Sequence, residues 1–534
     1  MASPTNPLLC LMSFLALFFI SLMEGAKAGS LEDLVYCLGQ SGVKNVTNSG
    51  FEDLLNFSIQ NLRFTEANVS KPSVIIVPQS KQEVQKAVIC CKRHGFQIRL
   101  RCGGHSYEGT SSTAEAPFAI IDLMKLNQVQ VDVASETAWV QGGATLGEVY
   151  YAISQASPSH GFSAGTCPTV GSGGHISGGG FGLISRKYGL AADNVVDAEL
   201  VNANGDLLNR KSMGEDVFWA IRGGGGGSWG AVVAWKIKLL PVPPTTTVFT
   251  VYRAGIETVT NLVYQWQTVA PNLDTNFYLS VFVGANLSGA PNQGISAKFL
   301  GMFLGPKQDM LNAITSKFPG LGIKPQDCQE VTWIQSILYF SGIETSKIHD
   351  KENLRDRYLS DKNYFFAKSD YVRNIIPRSG ILGACRILEQ EPKGYIIMDP
   401  YGGKMAEIRA DSLPFPHRTG NLYDIQYLVA WYDGTSNKEK YLSWLRKFYA
   451  YMTPYVSQNP RAAYVNYMDF DLGTANHLLN GSSPVETASQ WGKRYFLDNF
   501  ERLVQIKTHI DPDNVFQNPQ SIPPNVASEF VDSL

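Results

Sequence analysis

The sequence lacks an excess of charge of either sign. Its 534 residues carry 45 Lys and Arg against 47 Asp and Glu, a formal net charge of −2. No basic stripe or tail stands out, so nucleic acid is not an expected partner. Metal-binding patterns are missing too. The eight histidines (94, 105, 160, 175, 349, 417, 477 and 509) are scattered, and none forms H-E-x-x-H or a Cys/His knuckle. No G-x-x-x-x-G-K-S/T loop occurs, which argues against a nucleotide hydrolase of that kind. A serine nucleophile elbow survives only in degraded form at Gly171-Ser172-Gly173. There is no internal repeat and no low-complexity tract. Leu8 to Leu22 is the one extended apolar run, and no other segment is long and apolar enough to cross a bilayer.

That one apolar run reads as a secretory signal over residues 1–28. It is short for a membrane span, and Ala26-Lys27-Ala28 offers a small-x-small cleavage site. A protein free of the membrane in the secretory pathway is expected, bound for the apoplast, the vacuole or an ER-derived vesicle. Five N-x-S/T sequons, at Asn45, Asn56, Asn68, Asn286 and Asn480, agree with export and glycosylation. Of the eight cysteines, Cys10 leaves with the signal, and Cys37, Cys90, Cys91, Cys102, Cys167, Cys328 and Cys385 remain. An odd number in an exported protein leaves at least one sulfur without an internal disulfide partner. Cys167 is the candidate for that sulfur. Cys37 and Cys90 could staple the N-terminal segment to the first domain, and the other four read as buried thiols.

What the chain does have is glycine wrapped around nucleophiles. One cluster is Arg101-Cys102-Gly103-Gly104-His105-Ser106-Tyr107-Glu108-Gly109. A second runs from Gly165 through Cys167 and His175 to Gly182, and a third from Gly223 to Gly230. Glycine lets backbone amides approach a phosphate closely. A large phosphate-bearing cofactor is expected, held by amides and bonded to His105 and Cys167.

The surrounding pattern is α/β. Residues 30–70 look helical. Ser73 to Pro78 reads as a strand, Lys81 to His94 as a helix closed by Gly95, and Gln97 to Arg101 as the strand feeding the first cluster. Each glycine cluster is expected to follow a strand, including one at Phe218 to Arg222, because ligands of such sheets bind at strand ends. Leu239 to Pro244 looks like a linker. Beyond it, Tyr423 to Trp431 alternates with period two, so Asp424 and Gln426 share one face and Tyr423, Ile425 and Tyr427 the other. Asn437 to Met452 reads as an amphipathic helix, and Tyr464 to Gly473 as another strand.

The residues around His105, Cys167-Pro168-Thr169-Val170-Gly171, Arg186 to Asn194 and Pro519 to Pro524 together resemble the plant berberine bridge enzyme-like flavoproteins of the vanillyl-alcohol oxidase superfamily. The resemblance spans about Cys37 to Pro524. It implies an α+β fold. A PCMH-type FAD-binding domain (71–243) follows an N-terminal helical segment (29–70). It is completed by residues 471–534, and a substrate domain (245–470) is built on an antiparallel sheet. It implies FAD bonded through its 8α-methyl to His105 and through ring C6 to Cys167, and a Cys37–Cys90 disulfide. Cofactor contacts are expected at Arg101, Gly103, Gly104, Ser106, Gly171, Gly174, His175, Gly179, Val195 and Asn514. Val170 is the expected oxygen gate, small enough to admit O2. Tyr107, Tyr467, Asp424 and Gln426 are the expected catalytic groups, with Tyr467 the first candidate for base and Asp424 the second.

Departures bear on the substrate. The namesake carries Glu where this chain has Gln426, and an amide takes no proton at neutral pH. Relatives that oxidise sugars or aromatic alcohols share Gln426 but carry Lys at Asp424, Tyr at Phe181 and Arg at Met468. The expectation is a monomeric oxidase passing hydride from an alkaloid or phenolic to FAD and on to O2. The alternatives are a carbohydrate or monolignol oxidase, or a flavin-dependent cyclase without net redox change. A wall- or sugar-binding protein with an idle flavin is the remaining class.

Overall fold

The computed structural model describes residues 29–115, 117–290, 294–343, 350–434, 436–475 and 482–525. The expected signal peptide and Asn480 lie outside these residues. Among them, no helix is long and apolar enough to cross a membrane.

The N-terminal helix Leu31–Gln40 starts at Ser30, whose hydroxyl accepts from the Asp33 amide while Asp33 returns the contact. Its Cys37 is disulfide-bonded to Cys90 on the helix Lys81–Arg93. Beneath lies a four-stranded sheet in the order Asn45–Val46, Val74–Ile76, Phe118–Asp122, Gln97–Arg101, parallel except at its first pair. Val74–Ile76 and Phe118–Asp122 are buried on both faces, which is why they read as continuous apolar runs. A second, antiparallel sheet has five strands in the order Val129–Asp132, Thr137–Gln141, Ala231–Lys238, Val195–Val201, Leu207–Asn209. The C-terminal helices share its core, since Trp491, Phe500 and Leu503 cluster with Trp235 and Ile237. Phe516 reaches the core of the parallel sheet instead.

The largest sheet has seven antiparallel strands: Cys328–Val331, Thr246–Ala254, Ser296–Phe303, Phe277–Gly284, Gly394–Pro400, Tyr423–Trp431, Tyr364–Val372. One face packs on the helices Ile256–Val269, Arg378–Glu389 and Lys438–Met452. Tyr423, Ile425 and Tyr427 point into that core. The alternation puts Asp424 and Gln426 on the opposite face.

Four stretches differ from the sequence pattern. Phe218-Trp219-Ala220 ends a helix, Arg210–Ala220, not a strand. The helix is opened by Asn209, whose side chain accepts from the Ser212 amide, and short apolar runs do not distinguish the two states. The second cluster follows only the two-residue strand His160–Gly161 and itself contains the helix Ser172–Ser177. The first cluster alone follows a full strand. The stretch read as a linker contains Leu240–Pro241, which pairs with His160–Gly161; a proline is tolerated on such an edge. Tyr464 to Gly473 forms two 3-10 turns, Val465–Tyr467 and Phe470–Leu472. Its amides bond to side chains, Tyr464 N to Ser369 Oγ at 2.9 Å and Asp469 N to the Tyr495 hydroxyl at 3.0 Å, where a strand would use a neighbouring backbone. Asn56, Asn68 and Asn286 are exposed, and Asn45 is half-buried.

Candidate functional site

A cavity of about 530 Å³ runs between the two smaller sheets and the open face of the seven-stranded sheet. All three glycine clusters line it. Phe365, Tyr395, Leu428 and Ala430 come from the large sheet, and Gln517, Asn518 and Gln520 from the C-terminal segment.

Glycine is needed where the clusters meet. A Cβ at Gly103 would stand 2.4 Å from both Thr169 O and Gly171 N, and one at Gly171 would stand 2.4 Å from Cys102 Sγ. Gly104 has φ +71°, and a Cβ there would lie 1.6 Å from Ser58 O. The first cluster is thus pressed between the N-terminal segment and the second cluster. That contact brings the two nucleophiles together. His105 Nε2 is 2.8 Å from Thr169 Oγ1, and Cys167 Sγ is 3.6 Å from the same oxygen.

Burial, reinforced by the Lys362 charge, lowers the His105 pKa to about 4. The ring is therefore neutral near pH 7, with a nitrogen lone pair free for bonding. His175 is likewise lowered to about 4 by burial, and its Nε2 accepts from the Gly165 amide at 3.1 Å. Asn466 Nδ2 donates to the His175 carbonyl at 3.0 Å.

Arg101 lines the cavity, while its guanidinium is held by Asp122 at 2.7 Å and by the carbonyls of Leu54 and Leu55, so it also pins the N-terminal segment. Three expected contacts fall elsewhere. Gly179, Val195 and Asn514 lie outside the cavity wall. Gly179 packs by Leu190 and Phe415, Val195 begins a buried strand, and Asn514 turns the chain just before Gln517. Ser106 and Val170 do line the wall.

At the large-sheet end, Tyr107 and Tyr467 stack with centroids 5.3 Å apart, and Phe365 meets Tyr107 edge-on at 5.1 Å. Gln426 Nε2 donates to the Tyr107 hydroxyl. Burial raises the Tyr107 pKa above the usual phenol value, and the Gln426 bond offsets part of this. Tyr467 is raised well above its usual value by burial, then by Tyr107, Asp424, Asp399 and Tyr464, all acting in one direction. Both phenols are thus held protonated. Asp424 is buried behind this wall, not on it. Burial and the neighbouring Asp399 push its carboxyl well above the carboxylate range.

The cavity fits a large phosphate-bearing group. Built Cβ atoms at Gly174 and Gly227 meet nothing within 4 Å, so these glycines keep the cavity wall open. The Ser111 hydroxyl on the same wall is buried without a partner. The profile of the FAD binding domain family matches residues 72–210, and that of the berberine and berberine-like family residues 463–523. Berberine bridge enzyme-like D-2 of Nicotiana tabacum is 51% identical over 98% of this chain and 96% of its own. Reticuline oxidase of Papaver somniferum is 49% identical over 96% of this chain and 97% of its own. The chain belongs to the berberine bridge enzyme-like family. It is an FAD-binding oxidoreductase. The structure of berberine bridge enzyme from Eschscholzia californica superposes with TM-score 0.87 at 47% identity, covering 92% of this chain and 99% of that one. A grass pollen allergen with glucose dehydrogenase activity gives TM-score 0.87 at 42% identity, covering 92% and 100%.

Four groups at the site of this berberine bridge enzyme-like protein, three of them on the cavity wall, carry no role in the sequence reading. Thr169 bridges the nucleophiles, and nothing in its type marks it. Tyr395 and Phe365 carried a period-two signal that was not followed. Gln520 sits in the quoted Pro519 to Pro524 motif, and its amide donates to the carbonyls of Asp469 and Gly473 at 2.7 Å.

Proposed function

We propose that this chain oxidises an aromatic, largely apolar metabolite, an alkaloid or a phenolic, with O2 as electron acceptor and hydrogen peroxide as product. One observation carries the choice of substrate. The large-sheet end of the cavity is lined by Phe365, Tyr395, Leu428, Ala430, Tyr467 and Met468, without a charged side chain. Apolar walls with few polar groups suit a flat aromatic molecule better than a sugar. Among relatives, reticuline oxidase is named for an alkaloid and a monolignol oxidoreductase of Arabidopsis thaliana, 45% identical, for a phenolic.

Bound FAD supplies a two-electron acceptor for the substrate hydride. His105 and Cys167 would hold it by two covalent bonds, and residues 71–243 with 471–534 would form its domain. The chain's own groups orient the substrate. Tyr107 and Tyr467 present protonated hydroxyls to it, and Gln426 fixes the Tyr107 oxygen. Val170 is short enough to leave oxygen a path. Residues 1–28 and the exposed sequons support passage through the secretory pathway.

Anaerobic mixing with alkaloids, monolignols and oligosaccharides tests this reading. An alkaloid or phenolic should bleach the flavin and, in air, yield peroxide; bleaching by oligosaccharides alone overturns it. The cyclase reading is favoured by the lack of a low-pKa base on this wall. Conversion of a substrate without bleaching or peroxide would support it.

A further inference from the structure

Asp399 and Asp424 are direct cross-strand partners on the strands Gly394–Pro400 and Tyr423–Trp431. Both point to the face that carries Gln426, because Met398, Ile425 and Tyr427 fill the opposite core. Two carboxyl groups so placed, out of water, do not ionise together. Their surroundings differ. Asp399 Oδ1 accepts from the Tyr278 hydroxyl at 2.5 Å, whereas Asp424 Oδ1 is buried without a partner.

We propose that Asp399 and Asp424 share one proton, carried on Asp424, and that the remaining charge on Asp399 sets the electrostatics of the Tyr467 and Gln426 wall. The pair is a tuning element, not a proton acceptor for substrate. The facing groups are Tyr278 and Ser280 from the strand Phe277–Gly284, Tyr371 from Tyr364–Val372, and Tyr401, Tyr464 and Tyr467 from the loops. The cation that acts on Tyr371, Arg418, is already paired with Asp193 at 2.8 and 2.9 Å. The pair's charge is therefore not offset by a neighbouring cation among these groups. Burial raises both carboxyls, Asp424 the more, in keeping with a proton on Asp424 and charge on Asp399.

A buried negative charge disfavours a second anion nearby. Sulfite, an anionic probe that bleaches flavin absorbance, reads this in the holoenzyme without any substrate. Asp399→Asn leaves a lone, buried Asp424 that stays neutral. Sulfite binding should then tighten about tenfold at neutral pH, after correction for the sulfite dianion fraction. Asp424→Asn keeps the Asp399 charge, so its neutral-pH affinity should match wild type. In wild type the affinity should weaken again at higher pH, as Asp424 gives up its proton beside the charged Asp399; in Asp424→Asn that second weakening should be absent. Unchanged affinity in Asp399→Asn, or an equal tightening in both variants, overturns the proposal. Should Asp399→Asn fail to fold, the Asp424→Asn pH profile decides: loss of the higher-pH weakening supports the shared proton, and its persistence contradicts it.

Discussion

At the residue scale, the outcome turns on what surrounds each candidate. Tyr467 and Asp424 entered as candidates through the family resemblance, and period two put Asp424 and Gln426 on one face. Their protonation was not legible, since it depends on Asp399 and on burial that no local pattern reveals. Gln426 was read as a loss of the namesake's base. The structure gives it a task, donating to Tyr107. Gln426→Leu removes that donor from a buried site, where such bonds are worth about 1–3 kcal/mol. Flavin reduction by substrate should slow about ten- to hundredfold with flavin content unchanged, as stopped-flow absorbance will report. Gly174→Val places a side chain in open cavity space that no protein atom fills. That variant should fold but purify with little visible absorbance, while its far-UV circular dichroism matches wild type.

At the element scale, long strands and well-capped helices were legible and short segments were not. The helix Leu146–Ala156 opens at Thr145, whose hydroxyl caps it together with Glu148, a signal carried by residue type alone. Tyr464 to Gly473 misled because its alternation of aromatic and polar residues serves a pinned strap. Lys368 Nζ grips Asp469 at 2.9 Å and Asp471 at 2.6 Å, and no strand partner is involved. The N-terminal helix depends on the Cys37–Cys90 bond, which spans 53 residues. By the loop-closure estimate, losing a bridge over that span costs about 4 kcal/mol. Cys37→Ser should lower the urea midpoint accordingly, and protease should cut first near residues 41–50.

At the scale of the whole molecule, the fold followed from motifs spread over the chain, while the cavity between sheets required the assembled structure. Acid stability is a property at this scale. Burial lowers His417 to about 3 and His175 to about 4, against an ordinary value of 6.5. Depressed values mean that the unfolded chain binds these protons first. The stabilisation is complete above pH 6.5 and is lost as pH falls toward 4 and 3. Melting temperature should decline across that window. His417 Nε2 donates to Tyr495 O at 3.0 Å, a bond that an amide can retain as donor. His417→Gln should therefore flatten the decline, as calorimetry at several pH values will show.

The central claim is that the imidazole of His105 and the sulfur of Cys167, brought to one hydroxyl by interlocked glycines, both bond the flavin. Acid precipitation followed by peptide mass analysis tests it directly. The account predicts a yellow pellet and a single digestion product in which the His105 and Cys167 peptides are joined through one flavin. A colourless pellet, with both peptides at their unmodified masses, would contradict it.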